Sequence, residues 1–142
     1  MRTLLGTMLC GFFCAAAVAC ASSEPASPAL IYAVGGCVEE ADAVRAATAG
    51  DVLIVGEGSA IHVEHRLTYV CCAELVLTVE QEGNTIRLVE SNVGEICRCL
   101  CAYDVEADVS GLEPGVYDVQ VWGVEYQDVH APELLGQASI AL

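Results

Sequence analysis

Cys97 to Gly123 reads CRCLCAYDVEADVSGLEPGVYDVQVWG, and its two-residue period decides the fold class. Cys97, Cys99, Cys101, Tyr103, Val105, Ala107 and Val109 share one parity. Arg98, Asp104, Glu106 and Asp108 take the other, with Leu100 and Ala102 as apolar exceptions. Successive side chains of a strand point to opposite faces, so this alternation predicts a half-buried β-strand with three cysteines turned inward. Gly111-Leu112-Glu113-Pro114-Gly115 interrupts it with turn-forming residues, and Tyr117, Val119 and Val121 then resume it.

The same pattern extends outward on both sides. Toward the N-terminus, Ile61, Val63, His65, Leu67 and Tyr69 alternate, Cys71-Cys72 follows, and Ala73, Leu75, Leu77 and Val79 keep the parity. A strand of that length needs a bend or bulge near Cys71. Gln81-Glu82-Gly83-Asn84 is a hairpin turn, and Thr85 to Val89 returns with Ile86 and Leu88 inward. Asp51 to Val55 is a further strand, stopped at Gly56-Glu57-Gly58. Ala29 to Val38 is an edge strand, and Gly136 to Leu142 the last one. Glu39 to Ala49 carries a short helical signal at three-residue spacing. Many short strands separated by turns predict an all-β sandwich.

The first 19 residues are a different kind of sequence. Arg2 precedes an apolar or small-residue run from Leu4 to Ala19, which reads as a secretory signal peptide. Its end, Ala17-Val18-Ala19-Cys20, fits two processing routes. One is a lipobox, after which Cys20 is lipidated and becomes the N-terminus. The other is ordinary cleavage after an A-x-A site. The Ser/Pro-rich stretch that follows reads as a flexible tether over residues 20–28, and it favours the lipid anchor. Ala21 after the cysteine points to the outer membrane. One β-sandwich domain then occupies residues 29–142.

The chain has 142 residues, 20 acidic side chains, five arginines and no lysine. From Cys20 onward the acids exceed the arginines by 16 (20 against four). So negative a surface repels phosphate backbones and anionic headgroups, which excludes a nucleic-acid partner. No nucleophile elbow, phosphate loop or H-E-x-x-H motif is present, and without lysine there is no Schiff-base chemistry. The expected role is therefore non-catalytic: a structural or adhesive module with an unknown protein or glycan partner. In an oxidising compartment Cys37, Cys71, Cys72, Cys97, Cys99 and Cys101 are disulfide candidates, with at least one bond expected between Cys71-Cys72 and the Cys97–Cys101 segment. The alternative is a zinc or copper site drawn from His62, His65, Cys71, Cys72, Cys97, Cys99 and Cys101.

Two resemblances add to this reading. Gly111-Leu112-Glu113-Pro114-Gly115-Val116-Tyr117 resembles the G-L-x-P-G-x-Y turn of fibronectin type III and related immunoglobulin-like domains. That likeness implies that Tyr117 is a tyrosine corner, its hydroxyl bonded back to the preceding turn. The wider succession HVEHRLTYVCC, EGNTI, CRCLCAYDV and GLEPGVY resembles a group of bacterial secreted lipoproteins with a Cys-Cys pair and a later C-x-C-x-C segment. It implies an envelope location and a compact β domain, and no activity.

Overall fold

A computed structural model describes residues 27–39, 52–127 and 129–142. The leader, Cys20, most of the tether and nearly all of the helical stretch expected from Glu39 to Ala49 lie outside the described residues.

Nine strands are present among the described residues. They are β1 (Ala29–Val34), β2 (Val38–Glu39), β3 (Leu53–Glu57), β4 (Ala60–Val70), β5 (Leu75–Glu82), β6 (Thr85–Asn92), β7 (Leu100–Ser110), β8 (Val116–Glu125) and β9 (Glu133–Ala141). They form two sheets, ordered β1-β7-β4-β3 with β2 also on β7, and β5-β6-β8-β9. This is the all-β sandwich that the alternation predicts.

The core lies where the parity places it. Ile61 and Val63 of β4 and Val105, Ala107 and Val109 of β7 face Leu77, Ile86, Leu88, Tyr117, Val119 and Val121 of the second sheet. Alternate outward positions of β4 and β7 pair as Arg66 with Asp104 and His62 with Asp108.

Several strand boundaries differ from the sequence reading, three of them with consequences for the architecture. The long run through Cys71 is two strands in different sheets, because Cys71 and Cys72 form a turn that carries the chain across the sandwich. The strand read from Cys97 begins at Leu100, so Cys97 and Cys99 belong to a loop, and Cys101 alone of the three is buried, at 1% exposure. The physical reason is covalent: both loop cysteines are tied to the turn at Cys71-Cys72, which holds them at the end of the sandwich and outside its interior. The expected edge strand is likewise split into β1 and β2. Both run along β7, Val34 opposite Val105 and Val38 opposite Ala102, and Gly35 bridges the break with its N–H on the Asp104 carbonyl at 2.6 Å.

One pairing has no counterpart in the sequence pattern. β6 and β8 lie side by side in parallel. Parallel neighbours need a crossover connection, and β7, which belongs to the other sheet, supplies it.

Candidate functional site

The order of the strands collects their connections at two ends. One end holds the β3–β4 hairpin, the Gly83-Asn84 turn and the Gly111–Gly115 corner. There Tyr117 is 5% exposed and donates its hydroxyl to the Glu113 carbonyl at 2.8 Å, which is the geometry of a tyrosine corner. The other end holds the β4–β5 turn at Cys71–Glu74, the β6–β7 loop at Val93–Cys99 and the β8–β9 connection. Most of the remaining distinctive chemistry of the described chain is at this second end.

Two disulfides join its first two loops, Cys71 to Cys99 and Cys72 to Cys97, with Cα separations of 5.5 and 6.1 Å. A third joins Cys37, between β1 and β2, to Cys101 of β7 at a Cα separation of 5.1 Å. The six cysteines from Cys37 onward are thus all paired. The first two bonds lie against each other. Cys97 Sγ is 3.6 Å from Cys71 Sγ and 3.5 Å from Cys99 Sγ, and it accepts the backbone N–H of Cys72 at 3.2 Å.

Polar contacts hold the same loops in register. Asn92, 3% exposed, accepts the N–H groups of Glu74 at 3.0 Å and Gly94 at 2.9 Å, and donates to the Glu95 carbonyl at 3.3 Å. Gly94 packs so closely on the β4–β5 turn that a Cβ would lie 2.7 Å from the Glu74 nitrogen. Tyr103 donates its hydroxyl to the Val70 carbonyl at 2.9 Å, fixing the end of β4 just before the paired cysteines. Burial pushes the Tyr103 hydroxyl above its ordinary range, so it stays protonated and remains a donor at neutral pH. Asn92 and Tyr103 are missed by a motif search. The signal available was parity: both continue the inward series of their strands.

A cavity of about 280 Å³ opens beside this knot, lined by Tyr69, Val70, Ile96, Val124, His130 and Glu133, with Gly123 in its wall. Gly123 also touches a buried polar pair. His65 of β4 and Glu90 of β6 meet across the two sheets at 2.5 Å, and Glu90 is 1% exposed. Among the described residues Glu90 Oε2 has no hydrogen-bond partner, and a Cβ at Gly123 would approach it to 2.5 Å. Glycine at 123 is therefore what leaves room for the carboxylate.

Exposed apolar side chains gather at this end. Of the nine large hydrophobic residues left exposed among the described residues, Val93, Ile96, Leu100, Val129 and Leu134 lie in or next to its loops. Elsewhere on the first sheet the outward side chains of β4 and β7 are mostly charged or polar, while Ile31, Tyr32 and Leu53 are exposed on β1 and β3. Arg66 holds Asp104 by two hydrogen bonds, at 2.8 and 3.2 Å, which lowers the Asp104 carboxyl below its ordinary value. Asp108 accepts from His62 at 2.8 Å, and that bond raises the His62 imidazole above its ordinary 6.5, with further help from the charges of Asp108, Glu57 and Glu64.

The histidines of the zinc or copper alternative are not brought to the cysteines. His62 is on the outer face of β4 with Asp108, and His65 is inside with Glu90. The sulfurs of Cys71, Cys97 and Cys99 do lie within 4.8 Å of one another. Each is committed to a disulfide, and a thiolate is what a soft ion requires. No protein-family model, curated protein or solved structure matches this chain.

Proposed function

We propose that this chain is a non-catalytic binding module of the bacterial cell envelope, carried on lipid at Cys20 and presenting the disulfide-bonded end of its sandwich to a protein partner. The observation that carries the reading is the coincidence, at one end, of exposed apolar side chains, a cavity and two disulfides that join adjacent loops. Loops that bind must keep their shape without a large core beneath them. Covalent ties achieve that and spare the ordering entropy that a free loop loses on binding.

The partner is a protein segment with apolar side chains flanked by basic ones. Val93, Ile96 and Val129 offer the apolar contact, while Glu74, Glu95 and Glu133 stand exposed around them, on a chain of formal net charge −15. Clustered apolar exposure on an otherwise charged surface is a mark of interaction sites. The leader, the A-V-A-C ending and the Ser/Pro tether support secretion and an anchor in the outer membrane, as does the resemblance to secreted lipoproteins.

Photo-crosslinking in intact cells tests the reading. A crosslinker at Ile96 should give a discrete protein adduct, and one at Glu113, at the opposite end, should not. Equal labelling from both ends, or none from Ile96, refutes the binding assignment. Cys20→Ser should move the protein from the membrane fraction to the soluble one. A wild-type protein already found there would refute the anchor.

A further inference from the structure

We propose that the nested disulfides Cys71–Cys99 and Cys72–Cys97 form a thiol–disulfide exchange site with Cys97 as its hub, able to pass a two-electron reducing equivalent between a dithiol substrate and the Cys71-Cys72 pair. This goes beyond the binding role and does not depend on it.

Exchange requires a thiolate in contact with a disulfide sulfur. Cys97 Sγ is placed for it once its own bond to Cys72 opens, touching Cys71 Sγ at 3.6 Å and Cys99 Sγ at 3.5 Å, the two ends of the neighbouring bond. The Cys72 N–H points at Cys97 Sγ from 3.2 Å. A hydrogen bond to the charged form stabilises a thiolate. Cys99 is exposed and offers the entry point for an external thiol. The third bond lacks such a neighbour: Cys37 is exposed, but Cys101 is 1% exposed, and among the described residues no sulfur of another disulfide touches either of them.

The steps balance without any further oxidant. One thiolate of an external dithiol attacks Cys99 Sγ, the Cys71–Cys99 bond breaks, and Cys71 leaves as a thiolate that takes a proton. The second thiol of the external molecule then attacks its own sulfur in the mixed disulfide, and Cys99 is released. The substrate is now a disulfide, and Cys71 and Cys99 are thiols. Next the Cys99 thiolate attacks Cys97 Sγ, forming Cys97–Cys99 and breaking Cys72–Cys97, and Cys72 leaves. No electrons are gained or lost in that last step. Its product is a free Cys71-Cys72 dithiol, which can reduce a second disulfide by the reverse chemistry.

Two single variants separate this from a purely structural pair. Cys72→Ser frees Cys97 beside the intact Cys71–Cys99 bond. After incubation of the oxidised protein at pH 8 without reductant, acid quenching, alkylation and peptide mapping should find the label shared among Cys97, Cys99 and Cys71. It should stay on Cys97 at pH 5, where the thiolate is scarce. Cys97→Ser frees Cys72, and there the label should remain on Cys72 alone. In the wild type, one equivalent of dithiothreitol should yield Cys97–Cys99 or Cys71–Cys97 while Cys37–Cys101 stays intact. Label confined to Cys97 in Cys72→Ser at pH 8, or reduction of Cys37–Cys101 ahead of the nested pair, would overturn the proposal.

Discussion

The three disulfides should contribute very unequally, in an order that the loop lengths set. On the chain-entropy model, closing a loop of n residues removes about 2.1 + 1.5R ln n cal/mol/K from the unfolded chain. Cys72 and Cys97 are 25 residues apart, which corresponds to about 3.5 kcal/mol at room temperature. Cys71 and Cys99 are 28 apart and would give about the same alone. They are not alone. Once Cys72–Cys97 is closed, the second bond closes a ring of only about five residues, and its contribution falls to about 2 kcal/mol. Cys37–Cys101 spans 64 residues, shortened to about 40 by the nested pair, and retains about 4 kcal/mol. The variant Cys71→Ala/Cys99→Ala should therefore lose about 2 kcal/mol, and Cys37→Ala/Cys101→Ala about 4 or more, since Cys101 is also buried. Replacing all four cysteines of the nested pair should cost about 5–6 kcal/mol, so the second bond removed costs more than the first. Urea denaturation followed by tryptophan fluorescence of Trp122 measures all three, and the slope should steepen as crosslinks are lost. If removing the two nested bonds costs equal amounts in succession, or if Cys71–Cys99 matters more than Cys37–Cys101, loop entropy is not what these bonds supply.

Three further outcomes follow from the described contacts. Tyr117→Phe should lower stability by about 1 kcal/mol, the net worth of one buried hydrogen bond, as the Glu113 carbonyl loses its donor; an unchanged urea midpoint would refute the role of the corner. His65→Leu should cost about 3–5 kcal/mol by stranding the Glu90 carboxylate, while His65→Leu/Glu90→Leu should recover most of it; a double variant no more stable than the single would show that the pair is not coupled. The folded-state pKa of His62 is raised, so its stabilisation is complete below 6.5 and fades as pH rises through the folded value. Wild type should then exceed Asp108→Asn by more at pH 5.5 than at pH 8.5, by a few tenths of a kcal/mol for so exposed a pair, and a pH-independent difference would contradict the assignment.

How far the sequence could be read depended on the kind of contact involved. Parity carried the inward faces of β4, β7 and β8, because a strand exposes its period in one dimension. Turn chemistry located the Gly83-Asn84 hairpin and the corner before Tyr117, because positive φ and a fixed proline are local demands. The same parity misled at Cys97 and Cys99. Alternation continues in the letters, while the disulfides to Cys71 and Cys72 hold those residues in a loop. Glu90 was overlooked for the opposite reason. It sits on the inward parity of β6, but a carboxylate is an unexpected core residue until His65 appears opposite it and Gly123 beside it.

By itself the sequence determined the class of fold, the inward and outward faces and the acidic character of the surface. Each of these is written in residue type and near-neighbour spacing. Only the tertiary structure decided which cysteine meets which, since six cysteines allow 15 connectivities and spacing cannot choose among them. It alone set β6 parallel to β8 through a crossover in the other sheet. And it alone gathered the β4–β5, β6–β7 and β8–β9 connections at one end, where Cys97 touches both sulfurs of a second disulfide. Apart from Cys97 beside Cys99, those are contacts between residues more than 20 apart in the chain, and they exist only once two sheets have packed.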